Sequence, residues 1–129
     1  MPAASAIKVL VVDDQLTMRT LIRSTLQQLG FVDIADAPDG EEGFKALIQR
    51  PVNLVLSDFN MPKLDGLAFL RAVRSHEPLR KTAFIMLTGR ADADLVQRAI
   101  QFGVNNYIAK PFTAQALKAK IEQVFGALT

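Results

Sequence analysis

Strand-length apolar stretches alternate with helix-periodic stretches along this chain, and that alternation restricts its fold more than any other feature. The apolar stretches are Ile7 to Val12, Asp33 to Ala37, Val52 to Ser57, Ala83 to Thr88 and Asn106 to Ala109. After the first come Met18, Leu21, Ile22, Thr25, Leu26 and Leu29, a one-sided stripe that Gly30 ends. Asp39 is placed to cap a second helix with Phe44, Leu47 and Ile48 inward, stopping before Pro51. A third runs from Gly66 through Leu67, Leu70 and Val73, and a fourth covers Asp92 to Phe102 before Gly103. The fifth starts at Thr113 and buries Leu117, Ile121, Val124, Phe125 and Leu128. Such alternation predicts an α/β fold, a parallel sheet covered on both faces. A length of 129 residues, half of them hydrophobic, suits one domain spanning 1–129, with residues 1–6 expected as a flexible N-terminal tail.

Right-handed crossovers leave few windings for such a sheet, and ligands in it sit beyond the C-terminal strand ends. Asp13, Asp14, Asp58, Thr88 and Lys110 occupy those ends, while the strand ending before Pro38 offers no obvious reactive group. An Asp-Asp pair after a strand is by itself usually a turn or helix cap, and Thr88 or Lys110 alone is unremarkable. Together they place three carboxylates on one rim. Like charges at contact distance oppose one another's ionisation, and a hard cation bound through oxygen relieves that. With no cysteine and a single histidine, His76, read as a solvated loop residue, zinc is disfavoured and Mg²⁺ fits. A rim of acids, a hydroxyl and an ammonium suits phosphoryl chemistry. One aspartate could itself be the nucleophile, forming an acyl phosphate, and spacing does not say which.

The formal net charge is +2, with 15 basic and 13 acidic residues. Setting the three clustered aspartates aside leaves 10 acids against 15 bases, a surplus that favours acidic or phosphorylated partners without making a case for DNA. No apolar run approaches the ~20 residues of a membrane helix, and the start lacks a signal peptide, so a cytoplasmic protein without membrane insertion is expected.

Val11-Val12-Asp13-Asp14, Ser57-Asp58-Phe59-Asn60-Met61-Pro62 with Asp65-Gly66, Leu87-Thr88-Gly89, and Tyr107 through Lys110-Pro111-Phe112-Thr113 together carry a resemblance from about Lys8 to the C-terminus. They resemble the receiver domain of response regulators, most of all the single-domain chemotaxis regulators. The resemblance implies the family's flavodoxin-like, doubly wound five-stranded parallel sheet in the order 2-1-3-4-5 with five helices. It implies that Asp58 is the phospho-acceptor, served by a histidine kinase or a small acyl phosphate. Asp13, Asp14 and Asp58, with the backbone carbonyl of Asn60, would hold Mg²⁺, for which Mn²⁺ can substitute. Lys110 is similar to the family's phosphate-contacting lysine, before a proline bond expected to be cis. Thr88 and Tyr107 resemble its switch pair, acting on a face formed by the fourth helix, fifth strand and fifth helix. Arg90, basic where chemotaxis regulators carry an acid, and Asn60 stand where the family tunes phosphoryl lifetime.

The function implied is a monomeric signalling module, not an enzyme beyond its own phosphorylation and dephosphorylation. It would be phosphorylated by a histidine kinase and dock to a target such as a flagellar switch component, or serve as a phosphate sink or relay outside chemotaxis. An aspartyl-phosphate phosphatase would need a second acid where Asn60 stands. A flavin carrier would need a phosphate loop where this chain has acids.

Overall fold

The computed structural model describes residues 2–89 and 93–129. Five parallel strands, β1 (Val9–Val12), β2 (Ile34–Ala37), β3 (Leu54–Asp58), β4 (Ala83–Thr88) and β5 (Asn106–Ala109), form one sheet in the order β2-β1-β3-β4-β5. The helices are α1 (Leu16–Gln28), α2 (Gly40–Gln49), α3 (Gly66–Ser75), α4 (Ala93–Gln101) and α5 (Ala114–Phe125).

Successive strand residues point to opposite faces, and this splits the core in two. Val9, Val11, Leu54, Leu56, Ile85 and Leu87 face α1 and α5, where they meet Ile22, Leu26, Leu117 and Ile121. Leu10, Val12, Val55, Phe84 and Met86 face the other way, onto Leu47, Phe69, Leu70, Val73 and Ala99 of α2, α3 and α4. Every residue of β1, β3 and β4 is buried, as a central parallel strand covered on both sides requires.

Among the described residues, three helices start on side-chain caps. Asp39 accepts from the Glu42 N–H at 2.8 Å, Asp65 from Ala68 at 2.8 Å and Thr113 from Ala116 at 3.0 Å. Gly30 and Gly103, at φ +99° and +90°, end α1 and α4 in the left-handed region that glycine enters without a Cβ penalty.

The structure departs from expectation at several points. β1 begins at Val9 rather than Ile7, and β3 is shifted to end on Asp58. The cause is a knot before both strands, where the Lys8 N–H donates to the Asn53 side chain and the Lys8 carbonyl accepts from Asn53 and Leu54. Leu21 and Ile48, expected inward, are 55% and 47% exposed at the borders of their helices' apolar stripes. His76 is half-buried at the end of α3, edge-on to Phe44 at 5.7 Å. Part of the segment expected as a tail packs on the domain: Ala4–Ala6 form a 3-10 turn, Ala4 is buried, and its N–H donates to the Thr129 carbonyl. Asp92, expected to open the fourth helix, lies outside the described residues. Among the described residues no helix is long and apolar enough to cross a membrane.

Candidate functional site

The C-terminal ends of β1, β3, β4 and β5 converge on the predicted rim. Asp13 follows β1 and is fully buried, Asp58 is the last residue of β3 and is buried, and Asp14 is exposed beside them. One carboxylate oxygen from each lies within 4.8 Å of the others. From the end of β5, the Lys110 ammonium reaches Asp58 Oδ1 at 3.0 Å and Asp13 Oδ2 at 3.4 Å. The Lys110–Pro111 bond is cis, as expected.

Burial pushes the Asp13 carboxyl above the ordinary aspartate range and the nearby Asp58 adds to this, while the Gln15 N–H at 2.9 Å and Lys110 oppose it. Counting the described residues alone, a buried acid beside two others, with one ammonium shared between two of them, is short of positive charge. The three carboxylates are hard oxygen donors close enough to share one cation, so the residues present fit a Mg²⁺-type ion.

The backbone around Asp58 is tightly held. The Phe59 N–H donates to the Leu87 carbonyl at 3.1 Å, and the Phe59 carbonyl accepts from Gly66 at 2.8 Å. A Cβ on Gly66 would stand 2.5 Å from the Asp58 carbonyl oxygen and 2.9 Å from Phe59 Cα, so the close return of the chain here needs glycine. Asn60 is exposed in this loop, two residues beyond Asp58.

Thr88 is buried at the end of β4, and its carbonyl accepts from the Lys110 N–H at 2.7 Å. Tyr107 lies on the adjacent β5 in register with Met86, 37% exposed, with the Lys120 ammonium 4.9 Å from its ring centre. Arg90 lies outside the described residues.

Sequence spacing missed Arg19 and Asp36. Arg19, in the first turns of α1, donates from Nη1 to the Asp13 carbonyl at 2.7 Å and from Nε to Asp36 Oδ2 at 2.9 Å. Asp36 belongs to β2, the strand expected to contribute nothing reactive, and its other oxygen accepts from Arg23 at 3.1 Å. The available signal was a pair of arginines one helical turn apart, facing a strand with an outward acid.

The sequence model of the response regulator receiver domain family matches residues 9–122. A relative from Rhizobium etli, named "Probable chemotaxis protein CheY", is 56% identical over 128 residues, 99% of both chains. The chemotaxis protein CheY of Pseudomonas aeruginosa is 44% identical over 118 residues, covering 92% of this chain and 95% of its own. Among solved structures, chemotaxis protein CheY4 of Vibrio cholerae superposes with a TM-score of 0.85 at 30% identity, over 96% of this chain and 99% of that one. The receiver domain of a Pseudomonas aeruginosa sensor histidine kinase, solved with a magnesium ion coordinated in its active site cleft, matches with a TM-score of 0.84 at 28% identity, over 94% and 98% of the two chains.

Proposed function

Because the chain belongs to the response regulator receiver domain family, with chemotaxis relatives matching over nearly its full length, we propose that it is switched by phosphorylation of Asp58. The observation that carries this reading is the Lys110 ammonium bridging Asp58 and Asp13 within the carboxylate cluster. An Asp58 oxygen attacks the phosphorus of a phosphohistidine on a histidine kinase. The new O–P bond replaces the donor's N–P bond, whose electron pair returns to the imidazole nitrogen. The product is an acyl phosphate, which water hydrolyses to release inorganic phosphate and restore the carboxylate.

Asp13 and Asp14, with Asp58 and the Asn60 carbonyl, would hold Mg²⁺. When bound, the ion neutralises the acids and the phosphoryl oxygens, which would otherwise repel the attacking carboxylate. Lys110 pairs with Asp58 at rest and with a phosphoryl oxygen after transfer. The Thr88 hydroxyl donates to another phosphoryl oxygen, and Tyr107 turns inward from its half-exposed position. Asn60 and Arg90 govern how readily water reaches the adduct.

The face so altered comprises α4, β5 and α5, where Val96, Gln97, Ile100 and Tyr107 line a shallow groove. Its target is a flagellar switch component, in keeping with the chemotaxis relatives. The direct test is incubation with Mg²⁺ and acetyl phosphate, read by intact mass. Wild type gains one phosphoryl group and Asp58→Asn gains none. An adduct of unchanged yield on Asp58→Asn would move the nucleophile elsewhere.

A further inference from the structure

The backbone of Asp13 is gripped from two sides. Its N–H donates to the Ala37 carbonyl at the end of β2 at 3.2 Å, and its own carbonyl accepts from Arg19 Nη1 at 2.7 Å. That carbonyl lies in the peptide plane that leads into Asp14. Holding it fixes how the plane is rotated, and so where the Asp14 side chain starts relative to the buried Asp13 carboxylate.

Arg19 is in turn held by a built frame. Asp36 takes its Nε at 2.9 Å on one oxygen and Arg23 Nη2 at 3.1 Å on the other, while Arg23 Nη1 donates to the Ile34 carbonyl at 2.8 Å. The Arg19 side chain is only 15% exposed. A fully exposed ion pair would ordinarily contribute little. Here the planar guanidinium joins α1, β2 and the loop after β1, and its second arm ends on a metal-site backbone rather than in solvent.

We propose that Arg19, aimed by Asp36, is a positioning residue that sets the Asp13 and Asp14 carboxylates in the relative orientation a divalent cation needs. This rests on the reading of the cluster as a Mg²⁺ site. Removal of groups that orient metal ligands typically weakens metal affinity by about 10–100-fold. Because Arg19 acts through backbone, the lower end of that range is expected.

The experiment is a Mg²⁺ titration of the full chain by calorimetry and by the amide shifts of Asp14 and Gln15, with melting curves taken in chelator. Arg19→Met should bind Mg²⁺ about tenfold more weakly. Arg19→Lys should be weakened too, since an ammonium cannot span both acceptors as a planar fork does. Asp36→Asn should fall between wild type and Arg19→Met, and the double variant should be no worse than Arg19→Met alone, as for two residues acting as one unit. In phosphorylation by acetyl phosphate, the Mg²⁺ concentration for half-maximal rate should rise while the rate at saturating Mg²⁺ stays at the wild-type value.

A purely structural role would lower the melting temperature and leave Mg²⁺ affinity alone. Affinity within about twofold of wild type in folded Arg19→Met, or in Arg19→Lys and Asp36→Asn should the first not fold, overturns the inference. Wild-type protein that takes up no Mg²⁺ instead removes the reading on which it rests, and the inference with it.

Discussion

Asp13 sits where its charge costs stability. Burial favours its neutral form, so its folded-state pKa lies above the unfolded value near 3.8. The stability gained from that protonated form is complete below the unfolded value and is lost as pH rises through the folded one. At neutral pH, above the unfolded value, the metal-free protein has lost stability that it holds in acid. Asp13→Asn should melt a few degrees above wild type in chelator at neutral pH, with the gap closing on acidification, while losing Mg²⁺ binding. In wild type, Mg²⁺ affinity should begin to fall at a higher pH than an ordinary aspartate would dictate, as read from titrations across an acid series. At this scale the acids themselves were legible in the sequence, since Asp13, Asp14 and Asp58 each close or follow an apolar run. Their supports were not. Arg19 and Asp36 meet only because β2 pairs beside β1, a juxtaposition that no local pattern announces.

Strands and helices were read well where burial is complete and less well where an element meets solvent. β4 and β5 match their apolar runs residue for residue, whereas Leu21 and Ile48 occupy the edge of a helical stripe, where one step of rotation turns inward to outward. The start of β3 was displaced because Asn53 serves the Lys8 backbone from outside the strand, a tertiary bond that hydrophobicity does not report. Two elements meet at Asp58, the end of β3 and the start of α3, with Gly66 at their closest approach. Gly66→Ala should push the Asp58 and Phe59 backbone aside and cut the rate of phosphorylation by roughly tenfold or more, a loss checked by intact mass against time. Coupling between β4 and β5 is open to a separate test. Thr88→Ala should still accept the phosphoryl group, yet lose most of the gain in target affinity that phosphorylation gives wild type, a gain expected to be about 5–150-fold. Titrating both phosphorylated proteins against the same target decides it.

Across the whole molecule, the sheet is braced at both ends, and only one of them carries the acid cluster among the described residues. The acids gather at the C-terminal strand ends, whereas the Arg74 guanidinium ties together the other end. It donates to the carbonyls of Gly103, Arg80 and Thr82 at 3.0, 2.9 and 2.7 Å and to Asn105 Oδ1 at 2.8 Å. Burial lowers its pKa from the usual guanidinium value. Arg74→Met would strip a donor from four acceptors and should cost about 2 kcal/mol, seen as a lower urea midpoint, while Mg²⁺ affinity is unchanged. The architecture itself was legible from alternation alone, and strand order followed from the resemblance. The pose of Tyr107 beneath the Lys120 ammonium has a practical corollary. As the chain has one tyrosine and no tryptophan, emission excited beyond the phenylalanine band comes from that single phenol ring, so stopped-flow fluorescence of unlabelled protein would time the proposed inward turn of Tyr107 directly.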